Sequence, residues 1–562
     1  MPSLGPFPHG VSWRDVPTSV ISPVAAYPGM NVVVGSAPLW QTLNGKNFLN
    51  VPRVYNSYED AVAEMGYSNN WPLYDICEHM DAVFVEFGVF PVTYIACNDQ
   101  FTGATPHAIS PFTLVGGQVD TELQLINDST LVVSGVGGTP VYVLGTDYLL
   151  SLSPSTLTEA ATWVITRIST GAIPSDSSTI YVAGNVPVTT PITAATIIGG
   201  IDAVTGKASG LQAIEDVFQK TGYVPGVIIC PAWSHDPTVA SAMEAKSENI
   251  NGCFACTCLI DVDTTTVKKA QDVLAWKNTN NIVFPRQECL FGNPTLVGAV
   301  VGGPGTAAAV TKMFHFASQQ GPLLQWTDTY KGGGMPYCSP SNKNLRMNSL
   351  QHADGTEITM HLADANLLNS QGVITALNWI GGWRSWGNRT AAYPADTDVH
   401  DMFIPVRRMF DYIGNTVVLT IWQEVDEPGN RRLIDAIVNT IQLWLDGITA
   451  TGGLTGASIA FKQSENPTTE ILNGHYTFHI YIAVPTPAEW LDFRIEYWVP
   501  YIANLWPAIG STGGTTVAGQ PGSQQQLLPQ TASPATVGTQ SAAPQSTASG
   551  ASSKPAGKSK EK

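Results

Sequence analysis

Residues 227–261 read VIICPAWSHDPTVASAMEAKSENINGCFACTCLID: an apolar burst, a polar turn, a segment of helical length and a second apolar burst. The spacing predicts a strand at Val227–Cys230, a helix near Thr238–Glu248 and a strand over Cys253–Ile260. The same alternation continues outward. Upstream, a helix is expected at Leu211–Thr221 with Gly222 as its stop. Downstream, a helix over Thr265–Lys277 leads to a strand at Asn281–Pro285. Strands spaced by helices specify a mostly parallel sheet covered on both faces, because parallel neighbours need a crossover and helices supply it.

Around this α/β segment, assigned to residues 206–389, the chain sorts by composition. Residues 1–23 carry Pro2, Pro6, Pro8, Pro17 and Pro23, which bars a helix and leaves an extended arm. Residues 24–100 read as an α+β part of the core. A strand is expected at Met30–Gly35, then a helix opened by Ser57 with Asp60 three residues on, a capping-box pattern closed by Gly66. A second helix around Tyr74–Phe87 leads to a buried strand at Val89–Cys97. Residues 101–205 change character, with few charges and short β-like runs at Glu122–Ile126, Val141–Leu144, Trp163–Ile168 and Thr179–Ala183. Turn residues separate these runs, which implies an inserted all-β domain, sandwich or barrel-like.

Residues 390–492 read as a C-terminal α+β domain. Leu433, Ile434, Ile437, Val438, Ile441, Trp444, Leu445 and Ile448 fall at helical spacing, leaving Arg432, Asp435 and Asn439 wet. In His475–Val484 the even positions are apolar, and Phe493, Ile495, Tyr497, Val499 and Tyr501 alternate likewise, so both are expected as one-faced antiparallel strands. The second belongs to a C-terminal strand or arm, residues 493–510. Residues 511–562 hold no aromatic, and 43 of the 52 are Ser, Thr, Gly, Pro, Ala or Gln, the composition of a disordered tail. The fold class is multidomain, α/β and α+β.

The 562 residues carry 27 Lys+Arg against 44 Asp+Glu, a formal net charge of −17, and only 13% are charged, against about 25% in ordinary globular chains. With 44% hydrophobic residues, disorder of the whole chain is excluded. The deficit of basic residues argues against nucleic-acid binding, which needs them to neutralise phosphates. Met1–Gly10 has neither the basic nor the apolar region of a signal peptide. The nearest approach to a membrane span, Leu296–Val310, is short and broken by Gly302, Gly303, Pro304 and Gly305. Eight Cys suit a reducing cytoplasm. So charge-poor a chain is expected to keep much of its surface away from water.

Ligands of open parallel sheets bind beyond the carboxyl ends of the strands. His235 and Asp236 follow one expected strand, and Asp261 and Asp263 the next, so a cytosolic hydrolase using His235, Asp261 and Asp263 is one reading. The other makes Asp236 a turn residue before Pro237, and Asp263 or Thr264 a helix cap, the commoner use of short polar side chains at such junctions. No Gly-rich phosphate loop, nucleophile elbow or HExxH string accompanies them. Cys253, Cys256 and Cys258 lack the second pair of a zinc ribbon and read as buried thiols. His475 and His479 lie about 13 Å apart on one strand face, too far to share a metal unaided. Arg384, Arg389, Arg407, Arg408, Arg431 and Arg432 form either a phosphate-binding cluster or salt bridges to carboxylates of this chain or a neighbour. No cofactor is expected.

The C-terminal third resembles the contractile tail sheath protein of tailed bacteriophages and related contractile injection particles. GWRSWGNRT (382–390) is similar to a sheath pattern in which Trp-Gly-x-Arg-Thr precedes a pair of Arg, here Arg407-Arg408 in IPVRRMFDYI. EVDEPGNRRL (424–433) resembles the family's segment before its long helix, with Gly429 after Pro428 where the family has Asn. WLDGITATGGLTGASI (444–459) resembles the Gly-rich helix exit, and VPTPAEWLDFRIEY (484–497) the Pro-x-Glu-aromatic segment and last strand.

The resemblance implies a non-enzymatic polymer of homohexameric rings stacked into a helical sheath around a tail tube protein. It implies baseplate and tail terminator partners, no nucleic acid, no membrane insertion, assembly in the host cytoplasm and a place on the virion. Contraction would drive the tube through the host envelope for genome delivery; a bacteriocin-like or secretion machine is the alternative of the same class. The resemblance further implies arms that add strands to neighbouring subunits. Val11, Trp13, Val16 and Val20 at one end, and Phe493, Ile495, Tyr497 and Val499 at the other, are the candidates. Arg407, Arg408, Arg431 and Arg432 are candidate contacts to the tube or to other subunits.

Overall fold

The computed structural model describes residues 23–153, 161–301 and 308–505. Val11, Trp13, Val16 and Val20, the Gly302–Gly305 interruption and the expected tail at 511–562 lie outside them. Contacts divide the chain between Trp490 and Leu491.

Before that division the centre is an eight-stranded sheet. Its order is Gly382–Trp386, Val373–Trp379, Gln287–Phe291, Thr257–Asp261, Val227–Ile229, Asn31–Gly35, Val92–Ala96, Arg53–Tyr55. The inner strands run parallel, and the strand at each edge is antiparallel to its neighbour. Asn31 stands opposite Val227 on one side and Val92 on the other. Residues 24–100 are therefore part of one sheet with 227–386, not a compact unit of their own. The two-residue period of a strand then sorts the apolar side chains onto two cores. Val32, Val34, Ile228, Cys258 and Ile260 face one; Val33, Tyr94, Val227, Ile229, Leu259 and Leu290 face the other.

Local signals hold where a cap or glycine fixes them. The helix Tyr58–Met65 begins at Ser57, whose side chain accepts from the Asp60 amide, and ends at Gly66, whose φ of 75° favours glycine. Elsewhere the expected elements shift. The strand over Cys253–Ile260 narrows to Thr257–Asp261, and the helix over Thr265–Lys277 forms only from Val273 to Thr279, after a 3-10 turn. No strand forms at Asn281–Pro285, where Asn281 is left-handed (φ 57°). The strand begins beyond it, at Gln287, with Gln287 and Glu288 both buried.

The helix Phe316–Tyr330 was not foreseen. It lies against the second core with Gln319, Gln320, Gln325 and Asp328 buried, and at Gly321 a β-carbon would collide with Ile229 Cδ1. Glycine thus sets the distance between helix and sheet.

Within residues 101–205, two three-stranded antiparallel sheets share one core. Thr105–Thr113, Thr179–Val186 and Val132–Ser134 make one; Gln118–Asp120, Trp163–Arg167 and Tyr148–Leu152 make the other. Glu122–Ile126 is not a strand, because Glu122 takes φ 54°, yet Leu125 and Ile126 still fill the core. Val141–Leu144 contributes only isolated bridges. Trp40 reaches into this core, edge-on to Trp163 at 5.7 Å.

C-terminal to the sheet, the helices Ile404–Ile421 and Arg431–Ala450 pack with a two-stranded hairpin, Gly456–Ala460 against His479–Ala483. The first of these strands lies in the stretch read above as a helix exit. Phe478, Ile480, Ile482 and Val484 pack inward from the second.

Beyond the division, Leu491–Trp498 forms no strand, and a 3-10 helix runs Val499–Leu505. The strand expected at Phe493–Tyr501 is absent for want of a partner: Phe493 is 81% exposed, Ile495 98% and Tyr497 76%.

Candidate functional site

Polar groups do gather at the carboxyl ends of the parallel strands, where open sheets bind ligands. Buried Asp75 accepts from the Ser36 amide at 2.6 Å and from Trp233 Nε1 at 2.9 Å. Burial nonetheless pushes its carboxyl up to about 7. Asp261 accepts from Ser234 Oγ at 3.0 Å and from the Ala317 amide at 2.9 Å, closing the first turn of Phe316–Tyr330. Glu78 accepts from the His315 amide at 2.6 Å and meets its ring Nδ1 at 2.8 Å. Burial alone would depress that imidazole, but Glu78 carries it up to about 9.

These carboxylates hold helix starts and turns in place. Asp236 caps the helix Pro237–Glu248 through the Thr238 amide at 2.8 Å, and Asp263 accepts from the Thr265 amide at 2.9 Å. No hydrogen bond joins His235 to Asp261 or Asp263 among the described residues, so the hydrolase arrangement is not assembled. Cys256 and Cys258 are buried, whereas Cys253 is exposed, contrary to expectation, because its segment is a turn rather than a strand. Among the described residues no group of three or more His, Cys, Asp or Glu could hold a metal ion. His475 pairs with Glu470 and His479 with Glu465.

The arginines divide. Arg408 is buried in a bidentate pair with Asp328, at 3.0 and 2.6 Å, and donates to the Pro28 carbonyl at 3.1 Å. Arg407 bonds Asp411 at 2.8 Å and Asp401 at 3.2 Å. Both are turned inward by the buried face of Ile404–Ile421, so neither offers its charge to a tube or another subunit. Arg431 and Arg432 stand exposed at the start of the next helix, Arg431 within 3.5 Å of Asp435. Arg389 grips Glu489 with two bonds of 3.2 and 2.6 Å and lies 4.0 Å from the centre of the Tyr393 ring. That pair joins GWRSWGNRT to VPTPAEWLDFRIEY, two of the stretches on which the resemblance rests.

Two further features stand out among the described residues. One is the hairpin, a sheet of two strands. The other is the alternating segment from Leu491, whose apolar side chains are exposed as far as Ile502.

No family model matches the chain. Curated relatives do. The tail sheath protein of Burkholderia phage BcepMu is 28% identical over 435 residues, covering 77% of this chain and 86% of its own length. The chain is similar to tail sheath proteins over most of its length. A prophage major tail sheath protein of Pseudomonas aeruginosa strain UCBPP-PA14 aligns with it at 24% identity over 308 residues, 54% of this chain and 72% of that protein. The fold agrees with that of the anti-feeding prophage helical sheath in its contracted state, at a TM-score of 0.52 and 13% identity, over 87% of this chain and 98% of that one. Among the described residues no helix is long and apolar enough to cross a membrane.

Sequence reasoning missed Asp328, a carboxylate on an unforeseen helix. For Glu489 the signal was present in the PAEW string, but nothing in one dimension points to Arg389.

Proposed function

We propose that this sheath homologue is the non-enzymatic subunit of a contractile tail sheath. Its rings of six stack around a tail tube protein, between a baseplate and a tail terminator, and contraction drives the tube through a host envelope. The observation that carries this reading is the exposed alternation of Phe493, Ile495, Tyr497 and Val499 on a chain whose hairpin has only two strands. A strand added from one subunit to the sheet of the next satisfies main-chain groups and buries those side chains. Each large side chain so covered contributes about 1.5–3 kcal/mol. Such a contact is heterologous and propagates along a helix. Val11, Trp13, Val16 and Val20 serve the other arm, Arg431 and Arg432 supply the exposed charge for an acidic tube, and residues 101–205 form a separate decorating domain.

Negative-stain microscopy of the purified full chain tests this. Long hollow cylinders are expected, and Phe493→Asp with Ile495→Asp should leave dispersed subunits. Uniform small particles from the unsubstituted chain would reject the reading.

A further inference from the structure

A pocket of about 210 Å³ stands beside the edge strand Gly382–Trp386, with Phe87, Trp326, Asn342, Lys343, Arg346 and Arg384 among its walls. That volume is below the roughly 300–1,000 Å³ of sites for drug-sized ligands, so it suits a small group. The backbone fixes the segments that carry its cations. The Asn342 amide donates to the Ser385 carbonyl at 2.7 Å, and the Ser385 amide to the Lys343 carbonyl at 3.0 Å. Gln319 bonds both the amide and the carbonyl of Arg346. At Gly381, left-handed at φ 89°, a β-carbon would collide with the Arg384 guanidinium, so glycine keeps the room for it.

Three cations in one small pocket repel one another. Carboxylates are in surplus in this chain, 44 Asp+Glu against 27 Lys+Arg, and Arg286, Arg389, Arg407 and Arg408 are each paired with one. Yet among the described residues no salt bridge reaches Lys343, Arg346, Arg384 or Lys331, which lies over the Trp326 ring. Glu86 feels the charge of Arg346 but forms no ion pair with it. Burial first, and then the charges of Lys331 and Arg384, hold the Lys343 ammonium below its ordinary value. Its Nζ donates to the Ser341 carbonyl at a long 3.4 Å. Arg384 Nη1 donates to the Asn342 carbonyl and Oδ1, both at 2.9 Å, while its Nε is buried with no acceptor. A buried donor left unmade costs more than its bond would yield, so the pocket lacks an acceptor as well as a negative charge.

We propose that Lys343, Arg346 and Arg384 form an oxyanion-binding site, taking a phosphate or carboxylate group. Such a group supplies both missing items at once, and the Trp326 and Phe87 walls strengthen the attraction by keeping water back. The oxyanion has two sources, inorganic phosphate in solution or the side chains of a second copy. Glu424, Asp426 and Glu427 are this chain's own candidates, three carboxylates in four residues with no salt bridge among the described residues. They follow the helix Ile404–Ile421, whose end lies about 20 Å beyond the contact of Arg408 with Asp328. Within one subunit they therefore stand well away from Trp326, and a second copy must bring them. That source rests on the sheath reading; the site itself does not.

Thermal unfolding of the full chain in inorganic phosphate, set against chloride at equal ionic strength, tests the site. The midpoint of free subunits should rise with phosphate. Lys343→Gln with Arg384→Gln should weaken that binding about a hundredfold, roughly tenfold for each charged hydrogen bond lost. Should that pair fail to fold, Lys343→Gln with Arg346→Gln gives the same loss. Lys207→Gln, at an exposed lysine elsewhere, should leave the response unchanged. A peptide of residues 422–430 serves as the carboxylate probe in the same assay. No rise with either probe, or a rise that survives the double substitutions, would overturn the site. Labelled phosphate that sediments with assembled tubes as well as it binds free subunits identifies the ligand as a free anion. Phosphate shut out of tubes, or a rise with the peptide alone, identifies carboxylates of a second copy. If no tubes form, the sheath reading falls, and the free subunits still decide the site.

Discussion

The helix Phe316–Tyr330 is rich in Gln, Ser and Thr and lies in the core, whereas the segment Leu491–Tyr501 is rich in aromatics and lies in solvent. Each reverses what composition alone suggests, for opposite reasons. In the helix the glutamine amides and the aspartate find partners: Gln319 donates to the Arg346 carbonyl at 2.6 Å and accepts from its amide at 3.0 Å. Gln320 accepts from Ser385 Oγ at 3.0 Å, Gln325 accepts from Asn31 Nδ2 at 3.1 Å, and Asp328 holds Arg408. Burying an amide costs little once it is hydrogen-bonded within the fold. In the C-terminal segment the apolar groups of Phe493, Ile495 and Tyr497 are exposed.

The contrast can be broken most severely at Arg408. Arg408→Ala leaves Asp328 buried and uncompensated, and should lower unfolding stability by about 3–5 kcal/mol in denaturant titrations. Replacing both, with Arg408→Met and Asp328→Leu, should recover most of that loss, because no unpaired charge remains. A smaller effect is expected at the start of the same helix. The His315 imidazole is held above its ordinary value, so the folded state binds the extra proton more tightly than the unfolded chain does. That contribution is complete below about pH 6.5 and is lost as pH rises through about 9. Stability of free subunits should therefore fall over that window by on the order of 2 kcal/mol, and Glu78→Gln should flatten the slope. Smallest of all should be the stability change for Phe493→Asp with Ile495→Asp, within about 0.5 kcal/mol. The same pair is expected to abolish assembly. A large loss of stability there would mean that the segment belongs to the subunit's own core.

The comparison also explains which parts of the fold could be read in one dimension. Val227–Ile229 and Thr257–Asp261 were legible because apolar residues in short bursts, bounded by Pro231 and Asp263, leave few other structures. The helix Phe316–Tyr330 was not, because Gln319, Gln320 and Gln325 erase the apolar stripe by which helices are recognised. Gln287 and Glu288 hid the start of their strand in the same way. Burial pushes the Glu288 carboxyl up to about 7, a consequence of position that no residue type announces. Arg407 and Arg408 suggested an external partner because arginine pairs are usually wet, and their carboxylates, Asp411 and Asp328, stand on segments the sequence did not identify as helices. The exposed alternation from Phe493 was legible as a strand, but a strand exists only with its neighbour.

The grip of Arg389 on Glu489 has a mechanical meaning. Glu489 stands two residues before the segment from Leu491, so on the proposed reading a pull on that segment would reach it before any residue of the eight-stranded sheet. The pair has two bonds, and the guanidinium lies against the Tyr393 ring. A load borne by two parallel bonds must break both at once. From Arg389 it passes within a few residues to Gly382–Trp386, laced by its antiparallel ladder to Val373–Trp379. The pair thus ties a residue next to the division at Trp490 to the segment that follows the edge strand of the eight-stranded sheet.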